Sequence, residues 1–281
     1  MSAKRLITLN NGNKIPAFGL GTYDIPNSST AQVVYEACKV GYKHFDTAVL
    51  YGNEREVGEG IHKYLTSTNT NRGEIFYTTK LWNSQLGYQN TKRAIKDIFS
   101  KVSQLEYIDL VLIHSPLPGK TKRLESWKAL EEAVEEGLIK NIGVSNYGIH
   151  HIDELLSHCK IKPVVNQIEI SPWCMRQELA DYCLLKNIQV EAFSPLTHGY
   201  RLRNPPAELQ ALADKYNVNV GQLLIKWSLS KGYIPLPKTQ RVERLQSNLS
   251  VDHFELTKEE VESIQHPEVH DPTDWECTDA P

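Results

Sequence analysis

A (β/α)8 barrel, an α/β TIM-barrel fold preceded by an N-terminal β-hairpin, is the fold class this sequence predicts, and three observations predict it. Apolar runs of four to seven residues recur eight times, near 17–21, 44–48, 75–81, 108–114, 140–144, 164–170, 188–194 and 233–237. Amphipathic helical patterns fill the intervals between them. No Ser/Gly-rich linker and no internal repeat divides the 281 residues, so the chain reads as a single barrel domain, 1–281. Barrels of this kind routinely reach such a length as one unit. The runs are continuous in polarity rather than alternating, which suits parallel strands covered on both faces.

In chain order, Leu6-Ile-Thr-Leu9 and Lys14-Ile-Pro-Ala-Phe18 flank the turn Asn10-Asn-Gly-Asn13, the pattern of a hairpin. Ser28-Ser-Thr30 supplies cap candidates for a helix whose apolar face is Val33, Val34, Ala37 and Cys38. Leu124, Trp127, Leu130 and Val134 repeat at three and four, and Gly137 stands where that helix should stop. Leu209, Leu212 and Tyr216 form a further stripe, as do Leu223, Leu224 and Trp227. A doubly wound sheet is the competing architecture. It lacks its usual G-x-G-x-x-G turn, because Gly19-Leu-Gly21 runs into Tyr23-Asp-Ile-Pro26, where proline opposes a helix.

Composition narrows the function. Hydrophobic residues make up 40% of the chain, ample for a core, and the formal net charge of −3 comes with no basic cluster for nucleic acid. No apolar run approaches the ~18 residues of a spanning helix, and Met-Ser-Ala-Lys-Arg opens no signal-peptide core. Five cysteines (38, 159, 174, 183 and 277) form no C-x-x-C pair and read as free thiols in a reducing compartment. The expectation is a cytoplasmic monomer with neither nucleic acid nor membrane as partner. His150, His151 and His158 lie around one predicted helix, where His151 and His158 could share a face, but no ligand set is complete and no metal is expected.

The chemistry gathers at strand ends. Asp46 and Tyr51 follow the second run, Lys80 ends the third and His114 ends the fourth. Singly, each has a bland reading: a loop cap, an amphipathic surface ring, a snorkelling strand-end charge, a hydrogen-bonded histidine. At one rim of a barrel they make a proton-delivery set. A phenol with pKa near ~10 is a weak acid at neutral pH, and a neighbouring ammonium stabilises its anion. Lys80 supplies that charge, Asp46 holds Lys80, and His114 orients a substrate oxygen.

Over essentially its whole length the sequence resembles the aldo-keto reductases. Gly41-Tyr-Lys-His-Phe-Asp-Thr-Ala48 with Tyr51-Gly-Asn-Glu54, Thr79-Lys-Leu-Trp82 and Leu112-Ile-His-Ser-Pro116 are similar to that family's three catalytic motifs. The resemblance implies a tetrad of Asp46, Tyr51, Lys80 and His114, with Tyr51 as general acid. It also implies NADPH/NADP+ as cofactor. Ser145 and Asn146 in Ile142-Gly-Val-Ser-Asn146, with Gln167, resemble the residues that hold the nicotinamide carboxamide. Phe193 stands where the family usually stacks a Tyr on the ring, followed by Ser194 and Leu196 for the pyrophosphate. Lys238, Thr239 and Arg244 resemble a 2′-phosphate site and Asn248 an adenine contact, while Gly21, Thr22 and Asp46 border the same cofactor.

For the substrate, a small carbonyl compound, the resemblance implies Tyr23, Tyr51, Trp82, His114 and Ser115. Only twelve residues separate His114 from Trp127, the segment after Leu196 is also short, and Ser115 and Tyr23 stand where the family often has an aromatic after the histidine and a Trp near the first strand, so the expected mouth is shallow and polar with broad substrate tolerance. Tail residue Trp275 is placed either against the pocket or on the outside of the barrel; the sequence leaves both open. The function implied is NADPH-dependent reduction of aldehydes and ketones. A pentose (xylose- or arabinose-type) aldose reductase, a non-catalytic cofactor-sensing regulator and a Schiff-base enzyme built on Lys80 are the alternatives.

Overall fold

In the computed structural model, which describes residues 5–281, β1 (Leu6–Thr8) and β2 (Lys14–Pro16) pair antiparallel, with Ile7 opposite Ile15. The reading of the extreme amino terminus rests mainly on residues 1–4, outside that range. Eight parallel strands follow: β3 (Leu20–Gly21), β4 (His44–Asp46), β5 (Phe76–Leu81), β6 (Ile108–Ile113), β7 (Ile139–Ser145), β8 (Val165–Glu169), β9 (Gln189–Phe193) and β10 (Ile234–Pro235). Each strand neighbours the next in sequence. The ring closes where Gly19 N donates to Pro235 O (3.2 Å), Gly21 N to Pro237 O (3.1 Å), and Gly21 bridges in parallel to Lys238. A Cβ on Gly21 would stand 3.0 Å from the Leu236 carbonyl, so close approach of these strands requires glycine there.

The helices are α1 (Asn27–Val40), α2 (Glu54–Thr68), α3 (Tyr88–Lys101), α4 (Lys120–Glu135), α5 (Ile149–Leu156), α6 (Gln177–Leu185), α7 (Tyr200–Arg203), α8 (Ala207–Tyr216), α9 (Val220–Ser230), α10 (Val242–Leu249) and α11 (Lys258–Ile264). The α1 cap differs from expectation. The helix begins at Asn27 without a side-chain cap, and the Thr30 hydroxyl donates backwards to the Ile25 and Pro26 carbonyls (3.2 and 3.0 Å). Pro26, with φ already set near the helical value, performs the entry instead. Gly137 does stand just past α4, at φ +79°, a left-handed conformation that glycine adopts without strain. His158 lies beyond the end of α5, so it shares no helical face with His151; the close pair is His150 and His151, with ring centroids 3.8 Å apart.

Side chains alternate across a strand, and the register carries that alternation around the ring. In β6, Leu110 and Leu112 join Phe76, Val165, Ile234 and Leu236 inside the barrel, while Val111 and Ile113 pack outward with the helices. Leu112 lies beside Lys80, Leu110 beside Thr78, Thr78 beside Asp46, and Asp46 beside Gly21. Across the ring Ser145 lies beside Gln167, Gln167 beside Glu191, and Glu169 beside Phe193. All of these therefore share the inward parity. The hairpin seals the other end: Ile15 is fully buried in the interior cluster, and Asn11 and Asn13 both donate to Asn141 Oδ1 (2.8 and 2.9 Å). The interior is consequently apolar below and polar above.

An ion pair locks the outer side of β6. Arg72 Nη2 lies 2.6 Å from Asp109 Oδ2, and Arg72 also donates to the Leu105 and Tyr107 carbonyls. Both side chains are nearly buried. Arg72→Ala would strand the carboxylate, so urea denaturation should show a loss of about 3–5 kcal/mol. A loss below about 1 kcal/mol would show that the pair is dispensable.

Candidate active site

Because the inward positions at the carboxyl ends of β4, β5 and β6 are Asp46, Lys80 and His114, the barrel itself converges these three side chains. Tyr51 joins them from a single 3₁₀ turn, Val49–Tyr51, that ends at Gly52 in a left-handed conformation (φ +69°). Lys80 is completely buried, and its Nζ donates to Asp46 Oδ1 (2.5 Å), Thr47 O (3.0 Å) and Tyr51 Oη (3.1 Å). Its three donors are thus all used. Burial opposes the Lys80 charge, but Asp46 and Tyr51 outweigh it and raise the pKa above that of a free lysine.

Burial pushes the Tyr51 phenol up to about 12 despite the downward pull of Lys80, so the phenol stays protonated throughout the neutral range. Burial, then the Lys80 charge, holds the His114 imidazole well below its usual value. His114 is neutral, its ring edge-on to Tyr51 (centroids 5.9 Å) and Trp82 (5.1 Å). Asn146 Nδ2 donates to the His114 carbonyl (3.0 Å) and fixes the strand end.

A cavity of about 1330 Å³ opens from this cluster and runs along the rim of the barrel. Gly21, Asp46, Ser145, Asn146, Gln167 and Phe193 line its inner part. Ser194, Leu196, Lys238, Thr239, Arg244 and Asn248 line the outer part. Asn146 (φ +61°) and Ser194 (φ +46°) both adopt left-handed backbone conformations, an arrangement that concentrates where a ligand needs the chain turned aside. Gln167 Nε2 donates to Asp46 Oδ2 (2.9 Å) and to Glu191 Oε2 (2.8 Å), which spends both amide protons and leaves its carbonyl oxygen for a ligand. At the far end Lys238 and Arg244 are exposed at the start of α10, and Thr239 Oγ1 accepts from Arg241 N (3.1 Å).

Four expected residues stand apart from the cavity wall: Lys80, which lies beneath Asp46 and Tyr51, and three others. Ser115 is fully buried and donates to Asn83 Oδ1 (2.6 Å), turned away from the site. Thr22 is also buried and donates from its hydroxyl to the Asp46 carbonyl (2.9 Å), so it braces the strand that carries Asp46. Trp82 meets the site only through His114 and Trp275 (centroids 5.1 and 5.9 Å). With Ser115 withdrawn, the mouth carries aromatic and aliphatic surface where a polar one was expected, with Asp24 and Asp274 beside it. Tyr23, Leu50 and Trp275 line it, and each is more than 40% exposed.

The tail resolves the two placements open for Trp275. Thr273 donates to Glu169 Oε1 from its N (2.6 Å) and hydroxyl (2.7 Å), and Asp274 Oδ2 accepts from Ser194 Oγ (2.7 Å) and pairs with His198 Nε2 (2.8 Å). These bonds carry Trp275 onto His114 (centroids 6.1 Å) and Trp82, inside the pocket. Sequence reasoning missed Glu169, Asp274 and Glu191. Strand parity marks two of them, since Glu169 lies two places past Gln167 and Glu191 two before Phe193.

Comparisons with known proteins agree with this architecture. Residues 17–267 match the family model described as "Aldo/keto reductase family". An oxidoreductase of Saccharomyces cerevisiae is 61% identical over 277 residues, 97% of this chain and 98% of the relative. The glyoxal reductase of Bacillus subtilis is 40% identical over 264 residues, 94% of this chain and 92% of the relative. Among solved structures, an aldo-keto reductase of Bombyx mori in complex with NADP superimposes with a TM-score of 0.87 at 37% identity, covering 92% of this chain and 91% of that one.

Proposed function

The chain belongs to the aldo/keto reductase family of oxidoreductases, and from that premise we propose that it reduces a broad range of small aldehydes and ketones with NADPH, Tyr51 giving the proton. The observation that carries this reading is the Lys80 ammonium bonded at once to Asp46 and to the Tyr51 hydroxyl on the floor of the cavity. The cofactor residues fit the group. The Gln167 carbonyl oxygen is free for a carboxamide, Phe193 offers a ring face, and an exposed Lys and Arg flank a helix start at the far end. The Bombyx mori relative solved with NADP supports the same choice.

When bound, NADPH supplies the hydride for the carbonyl carbon. Neutral His114 and Tyr51 donate hydrogen bonds to the carbonyl oxygen, which orients it and stabilises the charge that develops there. Tyr51 Oη then releases its proton to that oxygen, and Lys80 holds the resulting phenolate. Asp46 keeps Lys80 charged and in place and does not itself meet the substrate. The apolar mouth of Tyr23, Leu50 and Trp275 shields this exchange from water and accepts aromatic as well as short aliphatic groups. The glyoxal reductase relative supports small carbonyls among the substrates. Among the described residues no helix is long and apolar enough to cross a membrane.

Following NADPH oxidation over aldoses, aromatic aldehydes and α-keto carbonyls tests the proposal. Turnover with several classes is expected; activity confined to pentoses would replace it with an aldose reductase, and none at all with a cofactor sensor. Arg244→Ala should weaken NADPH binding about 10-fold or more and leave NADH binding within about two-fold, since only the former carries the phosphate. Equal losses for both cofactors would remove Arg244 from the phosphate site.

A further inference from the structure

Beneath the site lies a buried acid that the proton-delivery scheme does not use. Glu191 projects inward from the middle of β9, fully buried, beside Gln167 on β8 and Ile234 on β10. Its Oε2 accepts the second amide proton of Gln167 (2.8 Å). Its Oε1 has no hydrogen-bond partner and faces His44 Nε2 at 3.6 Å, too long for a hydrogen bond. The titratable groups that face it are His44 and Asp46 from β4 and Lys80 from β5. Lys80 is already neutralised by Asp46, and His44 is buried against Thr78 Oγ1 (3.0 Å) with its other nitrogen unpartnered.

An ionised Glu191 would therefore be a second buried carboxylate sharing one lysine, an arrangement that burial disfavours. We propose that Glu191 is a positioning residue held as a neutral carboxylic acid, which fixes Gln167 for the nicotinamide carboxamide and, by its charge state, discriminates reduced from oxidised cofactor. Burial, then the charge of Asp46, pushes this carboxyl up to about 8, and burial then Lys80 takes His44 down to about 3, so neither is charged at neutral pH. The proposal rests on the cofactor placement above, in which Gln167 separates Glu191 from the ring by one side chain.

The consequence is a proton linkage. The oxidised nicotinamide is cationic and the reduced one is neutral. A neutral Glu191 gives the cation no counter-charge, whereas an ionised one attracts it. Near pH 8, binding of NADP+ shifts Glu191–COOH toward COO− and one proton passes to solvent; binding of NADPH does not. Below that pH the site favours NADPH, and above it NADP+ gains.

The test uses the Tyr51→Phe protein, which removes the phenol bonded to Lys80, with and without Glu191→Gln. Tryptophan fluorescence titrations give Kd for NADPH and for NADP+ from about pH 6 to about pH 9.5. The ratio Kd(NADP+)/Kd(NADPH) is expected to fall by about three- to thirty-fold with rising pH in Tyr51→Phe, the range for unit charges one side chain apart. It should stay flat in the double variant, where the amide oxygen introduced by Glu191→Gln still accepts from Gln167. A flat ratio in the first protein, or the same fall in both, overturns the proposal. Should the double variant not fold, proton release decides: NADP+ added to weakly buffered Tyr51→Phe near pH 8 must acidify the solution and NADPH must not. Failure to bind either cofactor would instead refute the placement on which the proposal stands.

Discussion

A Tyr51→Phe protein is expected to bind NADPH with an affinity within about two-fold of the wild type and to reduce carbonyls about 10²–10⁴-fold more slowly, the usual contribution of a positioned general acid. The ring remains to pack against Tyr23 and His114, whose centroids lie 5.1 and 5.9 Å away, so the cavity keeps its shape. Only the hydroxyl 3.1 Å from Lys80 Nζ disappears. Stopped-flow binding together with steady-state kcat separates the two effects. Undiminished kcat would place the acid elsewhere, and His114, neutral and depressed in pKa, would be the next residue to change.

Lys80→Met is expected to lose both activity and stability. The methionine fills much of the same volume, but Asp46 is left as a buried carboxylate deprived of its 2.5 Å partner. Stranding one member of a buried pair costs about 3–5 kcal/mol, which denaturant unfolding would register. Turnover should fall about 10²–10⁴-fold, because nothing then stabilises a phenolate at Tyr51. Adding Asp46→Asn to Lys80→Met should restore most of the stability and none of the turnover. If that double variant recovered activity as well, the role of Lys80 would be structural and its charge incidental to the proton transfer.

Much of this was legible in the sequence, for identifiable reasons. Strands of a parallel barrel are buried on both faces, so their apolar runs stood out, and all eight lie where the runs placed them. Asp46, Lys80 and His114 were readable because each ends such a run, and the strand register then brings them together. Tertiary decisions were less visible. Ser115 follows His114 directly, yet alternation turns it outward to Asn83, and a substrate contact at that position does not follow from adjacency. The polarity of the mouth was misjudged for a related reason: Trp275 lies 161 residues beyond His114 in sequence and reaches it only through the Thr273–Glu169 and Asp274–Ser194 bonds. Glu191 was hidden inside a segment read for its aromatic neighbour. Period-two counting from Phe193 marks it as inward, where a carboxyl group must be paired or protonated.

Isotope transfer from the cofactor tests the central claim most directly. Two preparations of NADPH, each deuterated at C4 on one face of the ring, are incubated with the protein and an aldehyde that it turns over. Deuterium is expected on the carbinol carbon of the alcohol from one preparation only, with the label of the other retained in NADP+. Alcohol formed without deuterium from either preparation would contradict hydride transfer in this site.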